Sequence, residues 1–391
     1  MSQPATPPLL KDLNERTVLE RIRAAAPISR AEISRQAGIS KPTVSVALQS
    51  LVDVGLVRST EPDGDGPRYG ATFFEPVAEA AGVLGLDLGA RFLRGGVCDL
   101  SGEVRAREDV ELAGADASVV FEAAAELAER LVETSGVPAE RVQAAVVGVP
   151  GVVNGDSGRI SLADNIHGLD GLEVGAELRR RLEMAVDVEN DVNLAALGER
   201  WRGAARERDD FAFLSIGTGL GAGLVLRGQL HSGHHGAAGE VDYAFGLGLE
   251  RDIDPCAAAL VAYVAELAAA GEHETALAEP YALPEVFAAA REGDPLACAA
   301  VREEARRIAL HIAPIAAVAD VGLVIIGGGI GANGDLLLEP VREELGARLP
   351  YPPRVEISSL GDGAVLSGAL SVGLEAALEA VFVNRHTRAY S

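Results

Sequence analysis

Apolar positions near the start of the chain recur every three or four places, the spacing that gathers them on one face of a helix. Leu13, Val18, Leu19 and Ile22 mark such a face in DLNERTVLERIRAAA, residues 12–26, which Pro27 ends. Ser29-Arg30-Ala31-Glu32 reads as a capping box, the serine oxygen accepting a free N–H of the first turn and the glutamate reaching back, and a short helix follows through Ala37. Gly38 supplies a tight turn. Ser40 caps a third helix with Pro42 in its first turn, where the missing N–H does no harm. That helix, KPTVSVALQSLVDVG, buries Val44, Leu48 and Leu51 and leaves Lys41, Thr43, Ser45 and Gln49 elsewhere around it. After Gly55 the pattern turns strand-like in LVRST, breaks at PDGDGPR and returns in YGATFF, which predicts a hairpin.

Beyond PVAEAAG, strands and helices alternate. GVLGLDLGARFLRGGVCDLSGEV reads as strand, glycine turn, strand, with Asp87 near the end of the first run, and FAFLSIGTGLGAGLVLRGQL repeats the pattern about 128 residues later. Neither glycine cluster leads into a helix, so neither is a P-loop nor a dinucleotide fingerprint, which both need a helix N-terminus for the phosphate. A third cluster, LVIIGGGIGANGDLL, follows a buried strand and precedes a helix, as expected of a loop that a ligand approaches closely. The expected fold is α/β: an N-terminal winged helix-turn-helix, residues 1–78, then a two-lobed actin-like (ribonuclease H-like) ATPase fold over residues 82–391. Its first lobe takes residues of about 82–200 plus a C-terminal helix of about 372–391, and its second about 201–371, with a cleft between.

Composition alters this picture little. At 391 residues the chain is too long for one core, and 45 glycines with 48% hydrophobic residues suit a folded α/β protein. The first residues carry no apolar run after a basic start, and no stretch reaches the length of a membrane span, so a cytoplasmic protein is expected. Cys98, Cys256 and Cys298 are too few and too scattered for a disulfide framework or a CxxC metal site.

Charge matters more. A net charge of −24 argues against nucleic acid, yet residues 1–75 hold nine Lys/Arg against nine Asp/Glu, and residues 16–41 hold six against two. The acidity therefore lies in the C-terminal part, and the third helix remains a candidate reader of a major groove. Arg30, Lys41, Thr43, Ser45 and Gln49, with Arg68 in the wing, are the expected DNA contacts. Glu61, Asp63 and Asp65 make the wing tip unusually acidic.

Six further stretches carry a resemblance: VVGVPGVVN, ADNIHG (163–168), ENDVNLAALGE (189–199), SIGTGLGAGLVLRGQLHSGHHGAAGE (215–240), IIGGGIG (325–331) and LGDGAVLSGAL (360–370). On these the chain resembles the ROK family, which groups bacterial sugar kinases with repressors built from the same domain plus an N-terminal winged helix-turn-helix. The resemblance implies that Asp191 is the position of the kinases' catalytic base, a carboxylate within reach of a sugar hydroxyl. It also implies that Asn165, Asn190 and Glu240 hydrogen-bond the sugar, and that Asp87, Gly89, Gly217, Thr218, Gly219, Gly328 and Gly329 are vestiges of a nucleotide site.

The chain departs from the family pattern twice. The first phosphate loop, approximately DxGGT, here reads Asp87-Leu88-Gly89-Ala90-Arg91, without the threonine and the second glycine. Zinc-containing members carry GExGH and then CxCGxxGC, whereas this chain has Gly239-Glu240-Val241-Asp242-Tyr243 and a solitary Cys256. The HxxHH cluster of His231, His234 and His235 reads as a surface loop. No metal and no cofactor are expected, and Tyr243 takes the place of a histidine that helps position the sugar.

The expected function is a transcriptional regulator, usually a repressor, acting as a homodimer or higher homo-oligomer, whose affinity for operator DNA is modulated by a sugar or sugar derivative in the cleft. An ATP-dependent ROK sugar kinase and a ROK-type regulator that binds no sugar are the alternatives.

Overall fold

The structure is a computed structural model; it describes residues 7–61, 72–155, 157–163, 165–245 and 252–389, with side chains given from residue 10 to residue 379. The N-terminal unit comprises α1 (Pro7–Ala25), β1 (Ile28–Ser29), α2 (Arg30–Ala37), α3 (Lys41–Asp53), β2 (Val57–Thr60) and β3 (Phe73–Pro76). Helix α1 starts five residues before the apolar periodicity, because Pro7 and Pro8 fit a first turn that needs no amide donors. Ser29 accepts from the Glu32 amide at 3.2 Å, but the Glu32 carboxylate turns to Arg35 and Gln36 instead of reaching back. Gly38 takes φ +66°, and Ser40 caps α3. Strand β3 pairs with both β2 and β1, so the hairpin grows into a three-stranded sheet that the two-residue β1 was too short to announce.

The first lobe contains β4 (Gly82–Leu88), β5 (Phe92–Asp99), β6 (Val104–Glu111), α4 (Ala117–Ser135), β7 (Val142–Val149), β8 (Val152–Val153), β9 (Ile160–Ser161), α5 (Val174–Leu182), β10 (Ala185–Asn190) and α6 (Asp191–Arg202). The second contains β11 (Phe211–Ile216), β12 (Leu220–Leu226), β13 (Gln229–Leu230), α7 (Ala257–Ala270), α8 (Leu283–Glu292), α9 (Pro295–Ala319), β14 (Leu323–Gly327), α10 (Gly328–Gly331), α11 (Gly334–Arg348) and β15 (Arg354–Ile357), and α12 (Ala364–Ala389) follows. The sheets run β6-β5-β4-β7-β10 and β13-β12-β11-β14-β15. In each, the first three strands in sequence are antiparallel neighbours and the other two add in parallel, so the lobes share one topology.

Helices α6 and α12 cross where both lobes meet. Their backbones touch through Gly198 and Gly368: a Cβ on Gly198 would strike the Ala364 carbonyl, and one on Gly368 the Leu194 carbonyl. Helix α12 packs on the first-lobe sheet, with Leu366, Leu370 and Leu374 against Val83 and Cys98. It begins at Ala364, eight residues before the anticipated C-terminal helix, since glycine spacing in GDGAVLSGAL serves close packing and not a loop.

The winged unit does not close its own core. Val18, Leu19, Ile22 and Leu51 pack with Ala81 and Leu100 of the sensor lobes, and Leu378 of α12 covers them. Leu100 tips the β5–β6 turn, which the Asp99 carboxylate ties by accepting from the amides of Ser101 and Glu103 at 2.8 and 3.1 Å. Arg16 on α1 meets Glu379 on α12 at 3.2 Å.

Candidate functional site

The site is built around the junction of β10 and α6. Asn190 ends the strand and caps the helix, its Oδ1 accepting from the Asn193 amide at 2.9 Å and its Nδ2 donating to the Gly151 carbonyl at 3.0 Å. Both ends of the amide are thus spent on the scaffold, and Asn190 acts mainly to aim Asp191. The Asp191 carboxylate accepts from the Val192 amide at 2.8 Å and from Asn190 at 3.2 Å. Burial lifts its pKa to about 6 against the pull of these backbone N–H groups, leaving it charged at neutral pH and able to accept from a ligand hydroxyl.

A cavity of 390 Å³ opens beside it between the lobes. Asn165, Asn190, Asp191, Glu240 and Tyr243 all line it, so the structure brings together every residue expected to meet a sugar. Gly217, Thr218 and Gly219 form one wall, and Pro150, Gly151 and Asp242 complete much of the rest. Gly239, at φ +101°, lies so close to the Ala222 carbonyl that only glycine fits there, which seats Glu240 at the cavity edge. Burial, then the charges of Asp242 and Asp191, push the Glu240 carboxyl up to about 7. Asp242 was not among the residues that sequence reasoning chose, although it stands in the same motif; its carboxyl too is raised, first by burial.

The remaining nucleotide-loop residues fall outside this cavity. Asp87 is buried on β4 and its carboxyl is pushed up to about 7 by burial first and by the Asp191 charge second. Opposite stands Arg94, mostly buried, which spans Asp87, Asp109 and Asp362 at 3.5, 3.5 and 3.3 Å. Arg91, the residue that replaces the loop threonine, points instead to Glu111 at 3.1 Å. Gly89 approaches the Phe92 carbonyl, donating to it at 3.0 Å. Gly328 at φ +80° and Gly329 abut the β11–β12 turn, where a Cβ on Gly217 would lie 3.7 Å from the Gly329 amide nitrogen. Among the described residues no three His, Cys, Asp or Glu side chains are grouped to hold a metal ion. His231, His234 and His235 are exposed, with the latter two stacked edge to face at 4.5 Å.

On the winged unit, Val44, Ala47, Leu48 and Leu51 are buried and the opposite face of α3 is open. Lys41 and Gln49 are exposed; Gln49 bonds Asp53 at 2.7 Å, Thr43 bonds the Ser40 hydroxyl at 2.8 Å, and Arg30 donates to Ser45 at 3.1 Å. Val46, 61% exposed, shares that face and was missed, because an apolar residue on a helix reads as core unless its phase is traced. Arg68, Asp63 and Asp65 lie outside the described residues, and Glu61 is exposed at their edge.

A winged helix-turn-helix docked on two lobes of one duplicated topology, with a polar interlobe cavity, defines a DNA-binding unit fused to a sugar-kinase-like domain. The ROK family model matches residues 83–375, and the chain belongs to that family. A MarR family model matches residues 12–66. The chain is 26% identical over 387 residues to the xylose repressor of Caldicellulosiruptor bescii, covering 93% of this chain and 96% of that protein. It is 29% identical over 316 residues to the glucokinase of Streptomyces coelicolor, covering 75% and 98%. Among solved structures, a ROK family transcriptional regulator homologous to the MLC protein of E. coli shares the fold over 96% of this chain and 98% of its own, with TM-score 0.78 at 22% identity. A glucokinase from Streptomyces griseus in complex with glucose and AMPPNP superposes with TM-score 0.65 at 27% identity, covering 75% of this chain and 100% of its own. Among the described residues no helix is long and apolar enough to cross a membrane.

Proposed function

We propose that the chain is a cytoplasmic transcriptional repressor that binds operator DNA through α3 as a homodimer and releases or tightens it when a sugar or sugar derivative enters the interlobe cavity. The observation that carries this reading is the continuous path from cavity to DNA reader. Asp191 opens α6, α6 is locked backbone to backbone on α12, and α12, about 39 Å long, meets α1 at Glu379. A ligand that favours one lobe arrangement shifts α6 and α12 together and so biases the spacing of two paired winged units. Arg30, Lys41, Thr43, Ser45, Gln49 and Arg68 are the DNA contacts of this reading, with Val46 offering apolar contact to a thymine methyl. Repressor relatives spanning nearly the whole chain, against a kinase relative covering 75% of it, support the same assignment.

Phosphate transfer does not belong to this reading. Arg94 already pairs with Asp87, which the family resemblance places at the nucleotide loop, and Arg91 pairs with Glu111. The test is a gel shift on a fragment from upstream of the protein's own gene, with a carbohydrate panel added. Retarded DNA whose midpoint moves with one sugar is expected. ATP-dependent phosphorylation of any hexose, abolished by Asp191→Asn, refutes the reading.

A further inference from the structure

We propose that the cavity is built for a sugar bearing a free amino group, held as its ammonium form. This rests on the sugar-sensor reading above and names the ligand class of that same site. Three carboxylates, Asp191, Glu240 and Asp242, line the cavity, and among the described residues no Lys, Arg or His does; its other polar side chains, Asn165, Asn190, Ser215, Thr218 and Tyr243, are neutral. Glu240 feels the charge of both aspartates. Among the described residues, Oδ1 of Asp242 is buried without a hydrogen-bond partner.

Among the described residues no basic side chain relieves this. Arg94 is committed to Asp87, Asp109 and Asp362. His311 faces Asp242 from α9, but burial first of all lowers its pKa, so it stays neutral and offers no counter-charge. The site therefore presents acceptors without a matching cation, and a ligand must supply the donors. An ammonium brings three N–H donors to acceptor-only carboxylates, where a hydroxyl brings one. A sugar phosphate or a uronic acid would bring a further negative charge beside the Asp191 carboxylate and two more acids in a partly desolvated site. A bare divalent cation asks for six or more oxygens or a tight ligand cluster, and among the described residues no three candidate ligands are grouped to hold one.

Isothermal titration of the full-length protein with matched pairs tests this: glucosamine and glucose, galactosamine and galactose, mannosamine and mannose, alongside N-acetylglucosamine, glucose 6-phosphate and calcium chloride. At least one amino sugar is expected to bind about tenfold tighter than its hydroxyl twin, the usual advantage of a charge-assisted over a neutral hydrogen bond. N-acetylation should remove that gain, and Asp242→Asn should lower the amino sugar's affinity by a larger factor than that of its neutral twin. The wild-type ligand pairs decide the matter even if the variant folds poorly. A neutral or phosphorylated sugar binding as tightly as any amino sugar overturns this inference and leaves the sugar sensor standing. Calcium binding lost in Asp242→Asn overturns it in favour of a cation site. Binding of no carbohydrate overturns both readings.

Discussion

Asp87→Asn removes a buried carboxyl whose ionisation the fold opposes, and the effect on stability follows from linkage. In the folded chain this group titrates near 7 because burial and the Asp191 charge disfavour its ionised form, against 3.8 for an ordinary aspartate. The folded state therefore binds more protons than the unfolded state between those values, so stability falls as pH rises from about 4 to about 7. A shift of about three units corresponds to a ceiling of about 4 kcal/mol, fully incurred above neutrality and absent near pH 4. Asparagine keeps the oxygen facing Arg94, which retains Asp109 and Asp362 as partners. Urea denaturation at pH 4.5, 6 and 8 is the assay. Wild type and variant should nearly coincide in acid, and the variant should be the more stable at pH 8, by up to the stated ceiling. A difference that does not change with pH, or a variant less stable at pH 8, refutes the reasoning.

Leu100→Ala should destabilise the docking of the winged unit by about 2–5 kcal/mol, the usual cost of truncating a fully buried leucine, and separate its unfolding from that of the lobes in calorimetry. One unchanged cooperative transition counts against the shared core. Gly368→Ala forces a methyl onto the Leu194 carbonyl and should weaken the response of operator affinity to effector more than it weakens DNA binding itself; an intact response argues that α6 and α12 are not the route. Lys41→Ala should weaken operator binding and lower the slope of log affinity against log salt by about one, and an unchanged isotherm removes α3 as the reading helix.

Much of this fold was legible because its elements are short, capped and punctuated. Ser29, Gly38, Ser40 and Pro42 each sit where local hydrogen-bonding needs dictate, and the structure keeps them there. The duplicated glycine turns announced two lobes of one topology. What escaped had non-local causes. Strand β1 exists only because β3 passes beside it, and the early start of α12 depends on α6 pressing against Gly368. At the site, the cavity-lining residues were reached through motif resemblance, yet Asn190 caps α6, which only its partners reveal. Asp242 went unnoticed because a carboxylate in a loop carries no signal until its neighbours are known. Arg94 went unnoticed for the same reason, since its three acidic partners come from three separate segments.

The shared core beneath α1 bears on how such regulators can be recombined. Ala81, Leu100 and Leu378 join the core of the winged unit from beyond residue 78, so a cut there would remove part of the packing around Val18, Leu19 and Ile22. A chimera that grafts this DNA reader onto another sensor must import the β5–β6 turn and the end of α12 with it. Operator choice and ligand choice are thus inherited as one piece, and a new pairing calls for a redesigned seam.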